Sequence, residues 1–221
     1  PDDPAQQLYI HDQLGFAHYR SGDYKQAEQE WLQVLALARS TRNPPRDVVV
    51  NASQALSSML SFNGDYKRSL EIVDQGIAFA DRSGVPAESP LRINLLRARA
   101  DALLKLGDAA AAESVVRRAI ALQRKTTSDR GNHMADLQNT LGYALNDLGR
   151  YRESLQALSE GDIIGIAASA APTEHAVSLS NLASVHESAG DYPKAIALGQ
   201  EALATLAAAG VPADDPERRM M

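Results

Sequence analysis

The 221-residue chain has no cysteine, only 5% aromatic residues and no long apolar run. Without cysteine it has neither disulfides nor thiolate metal ligands. No stretch approaches the roughly 18 apolar residues of a membrane-spanning helix, and the first residues are neither basic nor hydrophobic as in a signal peptide. The sequence therefore predicts no membrane contact, and we expect a cytoplasmic protein.

The chain also lacks an excess of positive charge and any recognisable catalytic motif. Its net charge is −6, and the basic residues are scattered among acids, whereas a nucleic-acid backbone requires a basic patch. No phosphate-binding loop, nucleophile elbow or carboxylate pair is present, and the five histidines have no second ligand at metal spacing. We expect no enzymatic activity, metal, cofactor or nucleic-acid partner.

What the chain does contain is one short motif in five copies. The copies are Gly22-Asp23-Tyr24, Gly64-Asp65-Tyr66, Gly107-Asp108-Ala109, Gly149-Arg150-Tyr151 and Gly190-Asp191-Tyr192, spaced by 42, 43, 42 and 41 residues. Each glycine separates two amphipathic helical segments, and it can take the left-handed conformation that ends the first helix. The aspartate can cap the second helix. Five similar turns at a near-constant interval predict a stacked repeat array.

Small residues recur at fixed distances from each turn glycine. The seventh residue before it is Gly15, Ser57, Ala100, Gly142 or Ala183, and the eighth is leucine in every repeat but the third, which has Arg99. The fifth residue after it is Ala27, Ser69, Ala112, Ser154 or Ala195. This pairing of a large with a small residue predicts close packing of the two helices of each repeat.

The pattern resembles the tetratricopeptide repeat, most clearly at Leu14-Gly15 with Gly22-Asp23-Tyr24 and at Leu141-Gly142-Tyr143 with Gly149-Arg150-Tyr151. The 42-residue period is similar to the long variety found in kinesin light chains and bacterial regulators. The resemblance implies an all-α protein, an α-solenoid of five stacked helical hairpins in a right-handed superhelix. We expect one array over residues 1–221, with repeats near 5–45, 46–89, 90–132, 133–173 and 174–216.

In this family, the first helices of successive repeats line a groove that binds a peptide. Transferred to this sequence, the resemblance places amide, charged and aromatic side chains in the groove: Tyr9, Asp12, Phe16, Asn51, Gln54, Asn94, Arg97, Asp101, Asn139, Tyr143 and Asn146. Asparagine and glutamine can bond a peptide backbone in both directions. Arg97 and Asp101 lie one helical turn apart, which favours a local ion pair over contact with a ligand.

These features indicate a peptide- or protein-binding scaffold, the recognition or regulatory arm of a larger bacterial signalling protein. Two alternatives remain: a peptide receptor that changes shape on binding, and a homo-oligomerisation module that pairs through its terminal repeats. The motif Asp2-Asp3-Pro4 at the start recurs as Asp214-Asp215-Pro216 near the end, at equivalent points of the repeat. That recurrence favours a segment of a longer protein.

Overall fold

A computed structural model describes residues 3–126, 132–168 and 172–211. Within these ranges the regular structure is helical, without strands, which confirms the all-α prediction. The ten described helices are α1 (Pro4–Arg20), α2 (Tyr24–Ser40), α3 (Arg46–Phe62), α4 (Tyr66–Arg82), α5 (Pro90–Lys105), α6 (Ala109–Gln123), α7 (Asn132–Asp147), α8 (Tyr151–Ala168), α9 (Pro172–Ser188) and α10 (Tyr192–Ala208).

The helices group into two compact units, unit 1 (Pro1–Asp108) with α1 to α5 and unit 2 (Ala109–Met221) with α6 to α10. In unit 1, α1 packs with α2 and α3 with α4, and the second helix of each hairpin also packs on the first helix of the next. In unit 2 the pairs are α7 with α8 and α9 with α10, joined through α8 and α9. Each unit is therefore built from helical hairpins that stack on their neighbours.

The five glycine turns have the same backbone geometry. Each of these glycines has a φ between 72° and 83°, in the left-handed region. The residue after the glycine donates its backbone N–H to a carbonyl five residues earlier, over 2.9 Å from Asp23 to His18 and 2.8 Å from Arg150 to Leu145. Such a bond closes the end of the first helix. The sequence prediction for the turns is confirmed.

Side-chain caps follow three of the turns. Asp23, Asp65 and Asp191 each accept a hydrogen bond from the backbone N–H three residues later, at 3.2 to 3.4 Å. In the fourth repeat Arg150 stands at this position and has no acceptor to offer the helix. Its guanidinium instead donates to Glu113 of α6 and Glu153 of α8, so that an inter-helix ion pair takes the place of the cap.

Close packing inside the hairpins explains the small residues before each turn. A Cβ on Gly15 would lie 2.5 Å from Nε1 of Trp31, and one on Gly142 would lie 2.5 Å from Cγ of Leu158. Such distances do not occur between real side chains, so a glycine is needed for the large residue to lie across the first helix. Trp31 and Leu158 are buried as a result, with 1% and 2% of their surface exposed.

Two positions depart from the expected leucine packing. Leu14 is 40% exposed, whereas Leu56 and Leu141 at the same repeat position are buried. The difference is that α3 and α7 each pack against the helix before them, while α1 has no preceding helix in the described part of the chain. Arg99 reaches Asp74 of α4 over 2.6 Å, so an ion pair replaces the apolar contact there.

No helix among the described residues is long and apolar enough to cross a membrane. The recurring Asp214-Asp215-Pro216 motif and parts of the linkers before α7 and α9 lie outside the described residues.

Candidate functional site

The first helix of each hairpin carries all the predicted groove residues, and we call the side of each unit that they occupy the first-helix face of that unit. In unit 1 this face consists of α1, α3 and α5, which pack side by side. In unit 2 it belongs to α7 and α9. Tyr9 and Tyr143 are 47% and 41% exposed. Asp12 is buried. The remaining predicted residues are half-buried, namely Phe16, Asn51, Gln54, Asn94, Arg97, Asp101, Asn139 and Asn146.

In unit 1, a cavity of about 450 Å³ opens between α3, the start of α4 and α5. Arg97 and Asp101 line it together with Ser58, Phe62 and Lys105. The sequence predicted Arg97 and Asp101 to share this face, and the structure brings both to one cavity. Phe62 is 76% exposed, so this cavity offers an accessible aromatic ring beside charged groups.

The Arg97 guanidinium bonds Asp101 through Nη1, with 3.2 Å between Nη1 and Oδ2. This confirms the predicted local ion pair. The pair leaves Nε of Arg97 buried and without a hydrogen-bond partner. Arg97 therefore retains one donor for another group.

Asp12 lies at the α1 end of the face with only 5% of its surface exposed. Burial raises the pKa of its carboxyl to about 6, the neighbouring Trp31 N–H offsets part of that rise, and the charge of Asp47 adds to it. Neither Oδ1 of Asp12 nor Nε1 of Trp31 has a hydrogen-bond partner of good geometry. Phe16 packs edge-on against the same indole, with ring centroids 5.3 Å apart. Asp12 and Phe16 thus contribute to the core as well as to the face.

A second cavity of about 450 Å³ lies in unit 2 between α7, α8 and α9, and Asn139 is one of its lining residues. A Cβ on Gly161 of α8 would lie 2.9 Å from Oδ1 of Asn139, so this glycine makes room for the amide. Asp136, Asp162 and Glu174 also line the cavity. Among these three acids, Asp162 has an ion-pair contact, 3.4 Å from Nδ1 of His175.

Buried polar atoms without a partner are concentrated on the first-helix face. Among the described residues there are five: Oδ1 of Asp12, Nε1 of Trp31, Nε of Arg97, Oδ1 of Asn139 and Oδ1 of Asn146. Four belong to predicted groove residues, and the fifth is in contact with that face through Phe16. Since a buried unpaired polar atom costs about 1 to 3 kcal/mol, a cluster of them calls for an explanation.

Sequence reasoning missed two parts of the molecule. Asp162 and Glu174 sit near the linker between α8 and α9, outside the first-helix positions that the repeat pattern singles out. The larger groove between α2, α3 and α4, described below, is formed mainly by second helices. Within the described residues, no group of three or more His, Asp or Glu side chains is arranged to hold a metal ion.

Comparison with known families agrees with the repeat geometry. Two sequence models of the tetratricopeptide repeat match the chain, one at residues 94–118 and one at residues 175–214. No curated protein sequence matches it. The five equivalent glycine turns and the ten helices of the described residues have the geometry of a tetratricopeptide repeat array, and two segments match that family in sequence.

Solved structures share the fold at low sequence identity. The TPR-like repeats of a putative kinesin light chain from Podosopora anserina are 20% identical, with 96% of this chain and 100% of that chain covered and a TM-score of 0.75. BtubC (BKLC) from P. vanneervenii is 19% identical over 97% and 86% of the chains, with a TM-score of 0.79. A Rap protein complexed with competence and sporulation factor is 12% identical, and only 54% of its length is covered, with a TM-score of 0.72.

Proposed function

We propose that the protein is a non-catalytic scaffold in which the first-helix face of each unit binds an extended segment of a partner protein. The observation that carries the proposal is the concentration of unpaired buried polar atoms at predicted groove residues. The side chains of Asn139 and Asn146 each hold an acceptor without a donor, and Arg97 holds a donor without an acceptor. A peptide backbone offers both kinds of group along its length.

Binding by such a face would rely on preorganisation. The side chains are held on packed helices before the ligand arrives, so most of the conformational entropy lost on binding is that of the peptide. The exposed rings of Tyr9, Phe62 and Tyr143 supply apolar contact beside the polar atoms. Micromolar affinity, about −8 kcal/mol, is what we expect of this arrangement.

We further propose that the chain is the recognition arm of a larger bacterial regulator. Support comes from the fold shared with a Rap protein that was solved in complex with competence and sporulation factor. The single array over residues 1–221 stays a prediction, as do the peptide-receptor and self-association alternatives.

The test uses peptides selected against the parent protein from a phage-displayed random library. We expect Asn139→Ala to weaken binding of a selected peptide about 5- to 100-fold, equal to about 1 to 3 kcal/mol. The same variant should be as stable as the parent or up to about 1 kcal/mol more stable, because it removes an unpaired buried amide oxygen. Fluorescence anisotropy and urea denaturation measure the two quantities.

The matched control is Gln33→Ala, which removes an exposed amide from α2, a second helix. It should alter neither quantity. If Asn139→Ala destabilises the protein and leaves peptide binding unchanged, Asn139 is a structural residue and the proposal is wrong. Self-association would instead be supported if the parent protein selected no peptide and its molecular mass in solution doubled as its concentration was raised.

A further inference from the structure

A groove of about 940 Å³ lies between the ends of α2 and α4 and the start of α3. Its apolar surface comes from Leu35, Val49 and Phe79, and the linker prolines Pro44 and Pro45 form one edge. The groove shares no lining residue with the first-helix cavity of the same unit. Its volume is at the upper end of the range for ligand sites, roughly 300 to 1,000 Å³.

Three arginines border this groove, one from each helix: Arg39, Arg46 and Arg82. Among the residues that the structure describes, no aspartate or glutamate lines it. Arg39 donates to the neutral amide oxygen of Gln75 over 3.0 Å. Arg46 and Arg82 are exposed, and neither makes an ion pair with any described residue.

This lack of counter-ions contrasts with the other arginines packed between helices of unit 1. Arg68 pairs with Glu28 of α2, Arg92 with Asp81 and Arg99 with Asp74, each across two helices or a linker. The chain as a whole carries more acids than bases, 28 against 22, so counter-ions are not scarce. The groove is therefore a place where positive charge is left without a carboxylate beside an apolar floor.

The local backbone adds to the positive potential on one side. Helix α3 begins at Arg46 after Pro45, which offers no side-chain cap to the first N–H groups of the helix, and Asp47 is the one acidic residue of this first turn. A helix start carries partial positive charge. Arg39 and Arg82 stand in the last turns of their helices, where they also stabilise the opposite, negative ends. A test must therefore separate ligand binding from helix stability.

We propose that this arginine groove is a second binding site that takes an acidic peptide segment of a partner protein. Carboxylates of the segment bond Arg46 and Arg82, and one of its hydrophobic side chains packs on Phe79. Charge complementarity and the mixed apolar and cationic lining carry the proposal, because an arginine fork matches a carboxylate in two parallel hydrogen bonds.

The experiment titrates the full chain with the fluorescein-labelled peptide acetyl-Glu-Glu-Leu-Phe-Glu-Glu-amide and measures anisotropy. We expect the double variant R46Q/R82Q to bind at least about tenfold more weakly than the parent, since two charge-assisted pairs are lost. The control is Arg42→Gln, which removes one positive charge next in sequence to the lining residue Asn43 but outside the lining itself. Its affinity should stay within about twofold of the parent, because an exposed charge without direct contact to the peptide is screened by solvent and salt.

A second peptide, with glutamine in place of each glutamate, separates charge from apolar contact. It should bind about tenfold more weakly than the acidic peptide. Equal binding of both peptides, or equal losses for R42Q and R46Q/R82Q, would overturn the proposal. The proposal would also be overturned if light scattering showed a dimer for the parent protein and a monomer for R46Q/R82Q, because a second copy of the chain would then occupy the groove. Urea denaturation of R46Q/R82Q checks that any loss of affinity is not loss of fold.

Discussion

The buried carboxyl of Asp12 makes stability depend on pH in a predictable direction. Burial raises its pKa from the ordinary 3.8 to about 6. The folded protein thus binds a proton at Asp12 more tightly than the unfolded chain does, so the contribution of this group to stability is fully present below pH 3.8 and is lost as pH rises through 6. At about 1.36 kcal/mol for each pH unit, the difference amounts to about 3 kcal/mol.

Asp12→Asn removes this titration and preserves the shape of the side chain. We expect the variant to be up to about 3 kcal/mol more stable than the parent at pH 7, with the difference vanishing near pH 3.5. Urea denaturation at a series of pH values measures it. Tryptophan fluorescence can follow the unfolding, because Trp31 is the one tryptophan of the chain, belongs to unit 1 and has its side chain next to Asp12.

The control for this experiment is Glu71→Gln, an exposed acid in the middle of α4. Neutralising it should change stability by no more than about 0.5 kcal/mol at any pH. Equal stability of Asp12→Asn and the parent at pH 7, or a gain that persists at low pH, would refute the reasoning. Equal stability at pH 7 would mean that favourable interactions of the ionised carboxylate offset the cost of burying its charge. A gain that persists at low pH would mean that the added stability does not come from proton binding at Asp12.

Two further substitutions test the packing and the turns. Gly15→Ala should destabilise the protein by about 1 to 3 kcal/mol, because the added Cβ would meet the Trp31 indole. Gly199→Ala should stabilise the protein by up to about 1 kcal/mol, because a Cβ at Gly199 has open space around it. Thermal unfolding distinguishes the two signs, and equal effects would contradict the packing argument. Asp191→Ala should cost about 1 kcal/mol through the lost cap of α10, with Glu187→Ala as the neutral control in urea denaturation.

Much of the fold was predictable because the turns are determined locally. A glycine with positive φ followed by a capping residue defines the end of one helix and the start of the next, so the five turns could be located from sequence. The need for Gly15 and Gly142 also followed, since small residues at a fixed distance indicate close helices. The exposure of Leu14 did not, because it depends on whether another helix precedes α1.

The first-helix face was predictable only from the positions of its residues in the repeat. The sequence indicated which side chains share the first-helix face, but not that Asp12 is buried against Trp31 or that Arg97 keeps an unpaired donor. Those properties depend on packing between helices that are distant in sequence. The arginine groove was missed for the same reason, since its three arginines come from three helices and follow no repeat position.

The identical turns also bear on how the chain acquires its fold. In the described units each helix packs mainly on the helices directly before and after it, so few contacts join residues far apart in sequence. The entropic cost of loop closure is then small, and a hairpin can form as soon as its own two helices exist. During synthesis, the Trp31 side chain can pack against Gly15 while the later repeats are still being translated. Folding would then keep pace with the ribosome, one repeat after another.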